Sequence, residues 1–472
     1  MIGFAVAGAA ASVSDEGTAV TNDPREIIAS SRMSALQILA VVITIGLNAL
    51  DGFDVLSIAF ASPGIAAEWH PSKTALGWLQ SMELAGMALG SILLGGVADR
   101  IGRRRTILGC LVVMTIGMFL ASTAGGFVPL CAFRIMTGLG IGGTLAAINA
   151  VAAEFSNARG RNLAVSIMSI GYPLGAVVGG IIVTQLLKGH DWRSVFYFGC
   201  AITALFIPLV LWLVPESVLW LARKQPDGAL ERINRTLRRM GHAVIDALPA
   251  LPPDIRRRSS ADIFAPALIA TTLIVTAAYF FHVMSFYYVA KWTPKIVVDM
   301  GFTQSQGSAT LTWGNVGGML GGLVLGLLTL RFEVKRLTIT VMVLGAIAVA
   351  IFGRSAHHLQ QLAFFTALAL FFTNAGIVGM YAIFAHVFPT HVRSSGTGFA
   401  IGVGRGGSVI GPPLAGWLFD HHYSLATVSA VLALGTLIAA GILAMLRINP
   451  REPATDPEAA EAAHVPPRSL PA

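Results

Sequence analysis

The sequence predicts an all-α polytopic membrane protein with twelve transmembrane helices in two pseudo-symmetric six-helix bundles. Of the 472 residues, 55% are hydrophobic and only 12% are charged, and the mean hydropathy is +0.72. A soluble globular protein carries about 25% charged residues, so this chain falls in the membrane class. Many apolar stretches are long enough to cross a bilayer as helices, and no series of short alternating strands indicates a barrel.

Twelve apolar stretches are predicted to span the membrane. They lie near residues 36–60, 74–98, 106–124, 127–152, 162–187, 194–214, 266–291, 307–330, 337–354, 359–386, 395–419 and 424–446. The predicted regions are an N-terminal tail (1–33), a first bundle (34–214), a linker (215–264), a second bundle (265–446) and a C-terminal tail (447–472). The 51 glycines fit this plan, because small residues let helices pack closely in lipid.

The charge distribution predicts the orientation. When the N-terminus is placed in the cytoplasm, most of the 32 lysines and arginines fall on cytoplasmic segments. We therefore expect both tails and the linker in the cytoplasm, with the helices crossing a bacterial inner membrane. The net charge of +8 then needs no nucleic acid as a partner. The N-terminal tail, which lacks a basic start, is expected to be a loose tail rather than a signal peptide.

The linker contains a predicted helix. Residues Ala229 to Met240 have helical spacing and a basic face, and three arginines, Arg256 to Arg258, close the linker. Such a helix either lies along the inner membrane surface, where anionic headgroups attract it, or is a solvated linker helix. Both interpretations stay open at this point.

Two acids lie inside the first span. Asp51 and Asp54 are three residues apart, which places them on one helix face about one turn from each other. A charge at the bilayer centre costs about 2.5–3.5 kcal/mol on insertion scales. The apolar residues on both sides favour a polar interior over snorkelling to an interface. Glu83 is a third buried acid, which can titrate or pair with Arg134 or Arg405.

The loop between spans two and three carries a specific pattern from Gly95 to Arg105. It contains Asp99, which can accept hydrogen bonds from a helix end or a basic partner, and Gly102, which allows a tight turn. In span four, Arg134 lies a third of the way into the span, and one interpretation is that it snorkels at a helix end. Glu154, at the other end of that span, is predicted to be a gate or latch residue.

Arg405 lies near the middle of span eleven, among glycines. Because arginine does not lose its charge, it needs an anion, either a substrate carboxylate or a protein carboxylate. Polar and aromatic residues of other spans are candidates for the wall of a pocket, although each alone is typical of helix packing. They are Tyr279, His282, Phe286, Trp313, Asn315, Asn374 and Tyr381.

The two halves show signs of duplication. A shift of the first half by 232 positions places Glu154 on His386, Arg161 on Arg393, Gly175 on Gly407 and Gly179 on Gly411. Parallel halves of six helices build one class of secondary transporter, whose substrate site lies at the midplane between the halves. Spans one, four, seven and ten hold equivalent places in that plan, which favours His282 and Tyr381 as cavity residues.

These motifs together resemble the aromatic acid:proton symporter family of the major facilitator superfamily. The resemblance implies the major facilitator fold and proton-coupled import of benzoate-, hydroxybenzoate- or protocatechuate-like acids by alternating access. It also implies importance for transport at the matching positions, which are Asp51, Asp54, Asp99, Arg134, Glu154, Arg393 and Arg405. For Arg134, the superfamily motif implies a role in proton coupling or in a charge relay. Glu83 lies outside the family pattern, and the second-half loop, residues 326–336, lacks the acid and the glycine of the first.

We therefore expect three groups of functional residues. The candidates for proton coupling are Asp51, Asp54 and Glu83. Those for substrate binding are Arg405, His282, Phe286, Tyr381, Asn315 and Asn374. Those for gating are Asp99, Arg103, Arg134, Glu154 and Arg393.

The expected partners are a small aromatic carboxylate, protons and the lipid bilayer, with the chain acting as a monomer. No nucleophile–base set, phosphate-binding loop or metal-ligand spacing indicates an enzyme, a cofactor or a metal site. The three cysteines, Cys110, Cys131 and Cys200, fit helix packing. Two alternatives remain: a proton-driven exporter of drugs or organic acids on the same fold, and a ligand sensor, ranked last because no large soluble domain could transmit a signal.

Overall fold

A computed structural model describes residues 23–249, 263–266, 268–355, 358–389 and 392–446. In these ranges the regular structure is helical, and none of the described residues is in a strand. In chain order the helices are α1 (Pro24–Ser30), α2 (Ala35–Trp69), α3 (Lys73–Ile101), α4 (Arg103–Ser122), α5 (Phe127–Glu154), α6 (Arg161–Leu186), α7 (Arg193–Leu213), α8 (Val218–Lys224), α9 (Ala229–Met240), α10 (Ile269–Asp299), α11 (Gln304–Leu328), α12 (Val334–Phe352), α13 (Leu359–Val387), α14 (Arg393–Gly404), α15 (Gly406–Asp420) and α16 (Leu425–Ala444).

Eleven of the described helices are long and apolar enough to cross a membrane. The remaining predicted span, span eleven near 395–419, consists of two helices, α14 and α15, which meet at Arg405. Glycines on both sides of Arg405 weaken the helix at this point, because glycine has a low helix propensity. The predicted fold class is confirmed, with span eleven interrupted at its arginine.

The duplication is visible in the helix boundaries. Helices α5, α6 and α7 begin at residues 127, 161 and 193, and α13, α14 and α16 begin at residues 359, 393 and 425. Each pair of starting points is separated by the 232 positions that the sequence comparison uses. Helices α2 to α7 form the first bundle, and α10 to α16 form the second.

The linker packs against the first bundle. We call the end of the molecule where the linker joins the bundles the linker end, and the opposite end, where α2 ends, the far end. The apolar face of α9, with Ile233 and Leu237, is buried against α8 and α1. Protein therefore covers the face that would enter a membrane surface, and the basic residues face outward. Arg256 to Arg258 lie outside the described residues.

Part of the predicted loose tail is helical. Asp23 caps α1 by accepting a hydrogen bond from the backbone N–H of Arg25, and Ile27 and Ile28 are buried against the linker helices. This burial corrects the expectation of a loose tail for residues 24–30. Nearby, Nε2 of His242 lies 3.0 Å from Oε1 of Gln37, and burial lowers the pKa of His242.

The two bundles are joined at the far end. The carboxylate of Asp420, at the end of α15, accepts hydrogen bonds from the backbone N–H groups of Lys73 and Thr74, both at 2.8 Å. On the opposite flank, the Ser305 hydroxyl of α11 donates to the carbonyl of Thr184 on α6 at 2.8 Å. Side chains of the second bundle thus form hydrogen bonds with free backbone groups at helix ends of the first bundle. These contacts close the far end.

Glycines make this closure possible. A Cβ atom at Gly77 of α3 would lie 2.5 Å from the carbonyl oxygen of Pro412 on α15, and one at Gly416 would lie 2.2 Å from that of Lys73. The backbones of the two bundles therefore touch directly. Farther from this seal, Tyr381 of α13 is 41% exposed, and Arg405 is partly exposed. The polar groups between the bundles thus remain accessible from the linker end.

Replacement of Gly77 with valine should open the far end. The new side chain would overlap the Pro412 backbone, and overpacking of this kind costs about 1–3 kcal/mol. The ratio of open to closed molecules would then rise by about 5- to 150-fold. Spin labels at Thr123 and His358, one on each bundle at the far end, should report longer distances after the native cysteines are replaced.

The matched control is Gly96→Val on the same helix, because a Cβ atom at Gly96 has no neighbour within 4 Å. This variant should give the wild-type distances. Unchanged distances in Gly77→Val would contradict the proposed role of this glycine contact in closing the far end.

Candidate functional site

Six charged side chains lie well inside the described membrane-spanning segments, away from the helix ends. They are the acids Asp51, Asp54 and Glu83 and the bases Arg134, Lys291 and Arg405. All except Arg405 are fully buried. Charges at such depth are retained in membrane proteins when they neutralise one another or line a polar pathway.

Asp51 and Asp54 sit on the part of α2 that faces the interior. Both are fully buried, and their carboxylate oxygens have no hydrogen-bond partner within the described part of the chain. Gly52, between them, lets the backbone of α6 approach, since a Cβ atom there would lie 2.0 Å from the carbonyl oxygen of Tyr172. The Asp-Gly-Phe-Asp pattern thus places Tyr172 beside the acids.

Glu83 and Arg134 form a fully buried ion pair between α3 and α5. Arg134 also donates from Nη2 to the carbonyl of Asp54 at 3.0 Å, and its guanidinium carbon lies 5.2 Å from the centre of the Phe196 ring. Gly138 of α5 makes room for the pair, because a Cβ atom there would lie 2.1 Å from the carbonyl oxygen of Glu83. Of the two partners open to Glu83 in the sequence, the structure selects Arg134.

Arg405 lies among four phenol side chains at the junction of α14 and α15. The tyrosines within electrostatic range of its guanidinium are Tyr172, Tyr279, Tyr287 and Tyr381. The glycines beside Arg405 bring α10 against this junction: a Cβ atom at Gly404 would lie 2.5 Å from the Tyr279 ring. Asp51 is the acid of α2 that interacts electrostatically with Arg405.

Of the aromatic and histidine candidates, Tyr381 lies beside Arg405. Its hydroxyl is 3.1 Å from that of Tyr279, beside Arg405. His282 does not match its predicted place in the cavity wall. It is fully buried within the second bundle, its Nε2 lies 2.7 Å from the carbonyl oxygen of Thr373, and its ring packs against α13. Phe286 is partly buried and stacks edge-on against Tyr287.

The two predicted asparagines lie on neighbouring helices, Asn315 on α11 and Asn374 on α13. The amide of Asn374 donates to the carbonyl of Gly318 at 2.7 Å, which is a helix-packing contact. Asn315 is buried, and its amide nitrogen has no hydrogen-bond partner among the described residues. Trp313, which the sequence also offers as a pocket residue, is 61% exposed and therefore lies on the outer surface.

The gate candidates of the first bundle meet at the linker end. Arg103 is buried and contacts both predicted acids, Asp99 at 2.8 Å and Glu154 at 3.2 Å. Glu216, which the sequence analysis missed, accepts a hydrogen bond from the backbone N–H of Arg103 at 2.8 Å. Gly102 adopts a φ of +108°, and a Cβ atom there would collide with Glu216, so this turn requires glycine.

Arg393 begins α14, at the position that matches Arg161 of α6. Its Nε donates to the carbonyl of Phe388 at 3.3 Å. This contact lies in the second bundle, apart from the charge network around Arg103.

The sequence analysis missed Lys291, the third base of the interior. The predicted span ends at residue 291, whereas α10 continues to Asp299. The apolar residues Ile296, Val297 and Val298 carry the signal that the helix runs on, so Lys291 belongs to the span and not to its end.

No metal site is indicated in the described segments, where no group of three or more His, Cys, Asp or Glu could hold an ion.

Comparisons with known proteins match this architecture. The sequence profile of the Major Facilitator Superfamily matches residues 43–310 and 275–471. A gallate transporter from Pseudomonas putida is 26% identical, with 89% of this chain and 93% of that protein covered. A benzoate transport protein from Acinetobacter baylyi is 25% identical, with 90% and 92% covered. The predicted resemblance is confirmed.

A solved structure has the same fold. It shows the xylose transporter XylE from E. coli in a partially occluded inward open conformation, and it superimposes with a TM-score of 0.68. The two sequences are 15% identical, and the match covers 89% of this chain and all of the other.

Replacement of Glu83 with glutamine should destabilise the protein. Arg134 would be left as a buried cation without its ion partner, and breaking a buried pair in this way costs about 3–5 kcal/mol. The double variant Glu83→Gln with Arg134→Met should recover most of the loss. The measurement is the free energy of unfolding in detergent micelles.

The control is Glu231→Gln, which removes one partner of an exposed pair with Arg235 on α9. Exposed pairs contribute about 0.2–1 kcal/mol, so this change should be small. A Glu83→Gln protein as stable as the wild type would contradict a structural ion pair at Arg134.

Proposed function

The chain belongs to the Major Facilitator Superfamily, and from this membership we propose that it imports aromatic carboxylates together with protons. The family makes the chain a membrane transporter and not an enzyme. The observation that carries the proposal is the position of Arg405, a permanent and partly exposed cation with four phenol side chains within electrostatic range.

The chemistry around Arg405 fits an aromatic acid. A guanidinium binds a carboxylate through two parallel hydrogen bonds, and aromatic rings stack on or edge-on against one another. The hydroxyls of Tyr279 and Tyr381, which pair at 3.1 Å, can exchange that bond for one to a ring substituent. The names of the two relatives, transporters of gallate and benzoate, describe substrates of this class, and we carry that class over to this chain.

Asp51 and Asp54 form the proposed proton site. Neither has a hydrogen-bond or ion-pair partner in the described region, whereas Glu83 forms an ion pair with Arg134. Arg405 attracts the ionised form of Asp51, so a substrate carboxylate that binds Arg405 weakens this attraction and favours protonation of Asp51. Substrate binding and proton uptake thus favour each other, which is the requirement for symport.

Alternating access would follow from rocking of the two bundles. We assign the linker end to the cytoplasm, because the basic residues of α9 and of the loop around Arg103 lie there. The described state, sealed at the far end, is then inward-facing, and the acids release their proton to the cytoplasm. We assign Asp99, Arg103, Glu154 and Arg393 to the gate of the linker end, and the chain to a bacterial inner membrane as a working monomer.

Replacement of Arg405 with alanine should weaken the binding of benzoate. Hydrogen bonds to charged groups contribute about 1.5–3 kcal/mol, so the dissociation constant should rise by about 10- to 100-fold. The uncharged analogue benzamide should bind equally weakly to the wild type and the variant. Calorimetric titration of the purified protein measures both affinities, and Arg405→Lys should lose less affinity than Arg405→Ala.

The control is Arg354→Ala, which removes an exposed arginine at the far end and should leave benzoate binding unchanged. Equal benzoate affinity in Arg405→Ala would refute the carboxylate site. In proteoliposomes with an alkaline interior, wild-type uptake of labelled benzoate should collapse when a protonophore is added. Uptake that survives the protonophore would refute proton coupling.

A further inference from the structure

Lys291 is a buried cation that the proposed transport cycle does not yet use. It belongs to α10 of the second bundle, is fully buried, and donates from Nζ to the carbonyl oxygen of Val55 on α2 of the first bundle. A neutral carbonyl does not neutralise an ammonium group. A lysine so deep in a membrane protein therefore needs acids nearby to balance its charge.

The charged groups that act on Lys291 lie across the bundle interface. Val55 directly follows Asp54, and the Lys291 ammonium interacts electrostatically with Glu83, which attracts it, and with Arg134, which repels it. Helices packed against this region also carry titratable or charged groups. They are Asp51 and Asp54 on α2, Glu83 on α3, Arg134 on α5, Tyr287, Tyr288 and Lys295 on α10 itself, and Arg405 between α14 and α15.

The interior charges balance only when Lys291 is included. With all groups ionised, the three acids Asp51, Asp54 and Glu83 oppose three bases within the described spans, and the sum is zero. Entry of a monoanionic substrate leaves one excess negative charge, which one proton on the acids removes. If Lys291 were neutral, the empty site would already carry an excess negative charge, and its acids would hold a proton before any substrate arrived.

We propose that Lys291 is a positioning residue for proton coupling: its charge keeps the empty acid pair ionised, so that one proton is taken up with each substrate anion. The contact with Val55 holds the ammonium group of Lys291 against α2, at the residue that follows Asp54, while the far end is closed. Lys291 touches neither substrate nor transferred proton in this account. The inference rests on the proposed proton-coupled import.

The test uses Lys291→Gln in proteoliposomes, because glutamine can still donate to the Val55 carbonyl but carries no charge. Uptake of labelled benzoate is measured against external pH. Without the nearby cation the acids keep their proton to higher pH, so half-maximal uptake should move upward by about one pH unit or more. Counterflow exchange at equal pH should persist, which shows that the variant folds, binds and alternates.

Two further variants separate charge from structure. Lys291→Arg keeps the charge and should keep the wild-type pH curve. Lys295→Gln removes a lysine one turn further along α10, where it pairs with Asp299 near the far end, and should also leave the curve unchanged. If Lys291→Gln loses counterflow, the pH curve of Lys291→Arg decides the question. A wild-type curve for Lys291→Arg supports the charge requirement. A Lys291→Arg curve that is shifted as far as expected for Lys291→Gln refutes it.

The outcomes distinguish the two proposals. If uptake by the wild type depends on external pH and Lys291→Gln reaches half-maximal uptake at the same pH, the role of Lys291 is overturned. Proton-coupled import then still stands. Wild-type uptake that does not depend on external pH overturns the proposed function, and with it the role of Lys291.

Discussion

Charge balance inside the membrane is the constraint on which the rest of this structure depends. Three acids and three bases lie well inside the described spans, away from the helix ends, and each would be expensive to bury alone. The Glu83–Arg134 pair removes two of these charges from consideration, because it is closed within the first bundle. The acids Asp51 and Asp54 are then left facing the two bases that the second bundle supplies, Lys291 and Arg405. Proton binding and substrate binding become linked, because both change the charge balance among these two acids and two bases.

Close contacts at glycines position these charges. Gly52 brings α6 to α2, Gly138 brings α3 to α5, and Gly404 brings α10 to the arginine junction. At the far end, Gly77 does the same between bundles, where a side chain would block closure. The glycine-rich composition therefore serves two purposes: it fixes the geometry of the charged groups, and it lets the bundles seal one end while the cavity stays accessible from the other.

The sequence predicts the fold and the main charges well, because long apolar stretches and intramembrane charges stand out against lipid. Asp51, Asp54 and Arg405 are recognisable for that reason. Their neighbours are harder to predict, since a helix face does not reveal which helix it meets: His282 turns into the second bundle, and Asn374 holds α11 to α13. Lys291 was missed because a lysine near the end of an apolar stretch resembles a membrane boundary, and Glu216 because it acts across a long sequence separation.

The central claim is that Asp51 and Asp54 carry the coupled proton. It is tested most directly by comparing counterflow exchange of benzoate with accumulation driven by a pH gradient, in Asp51→Asn and Asp54→Asn proteoliposomes. The account predicts that at least one variant exchanges benzoate but no longer accumulates it, because a neutral side chain permits alternation without releasing a proton. Accumulation at the wild-type level in both variants would contradict the account.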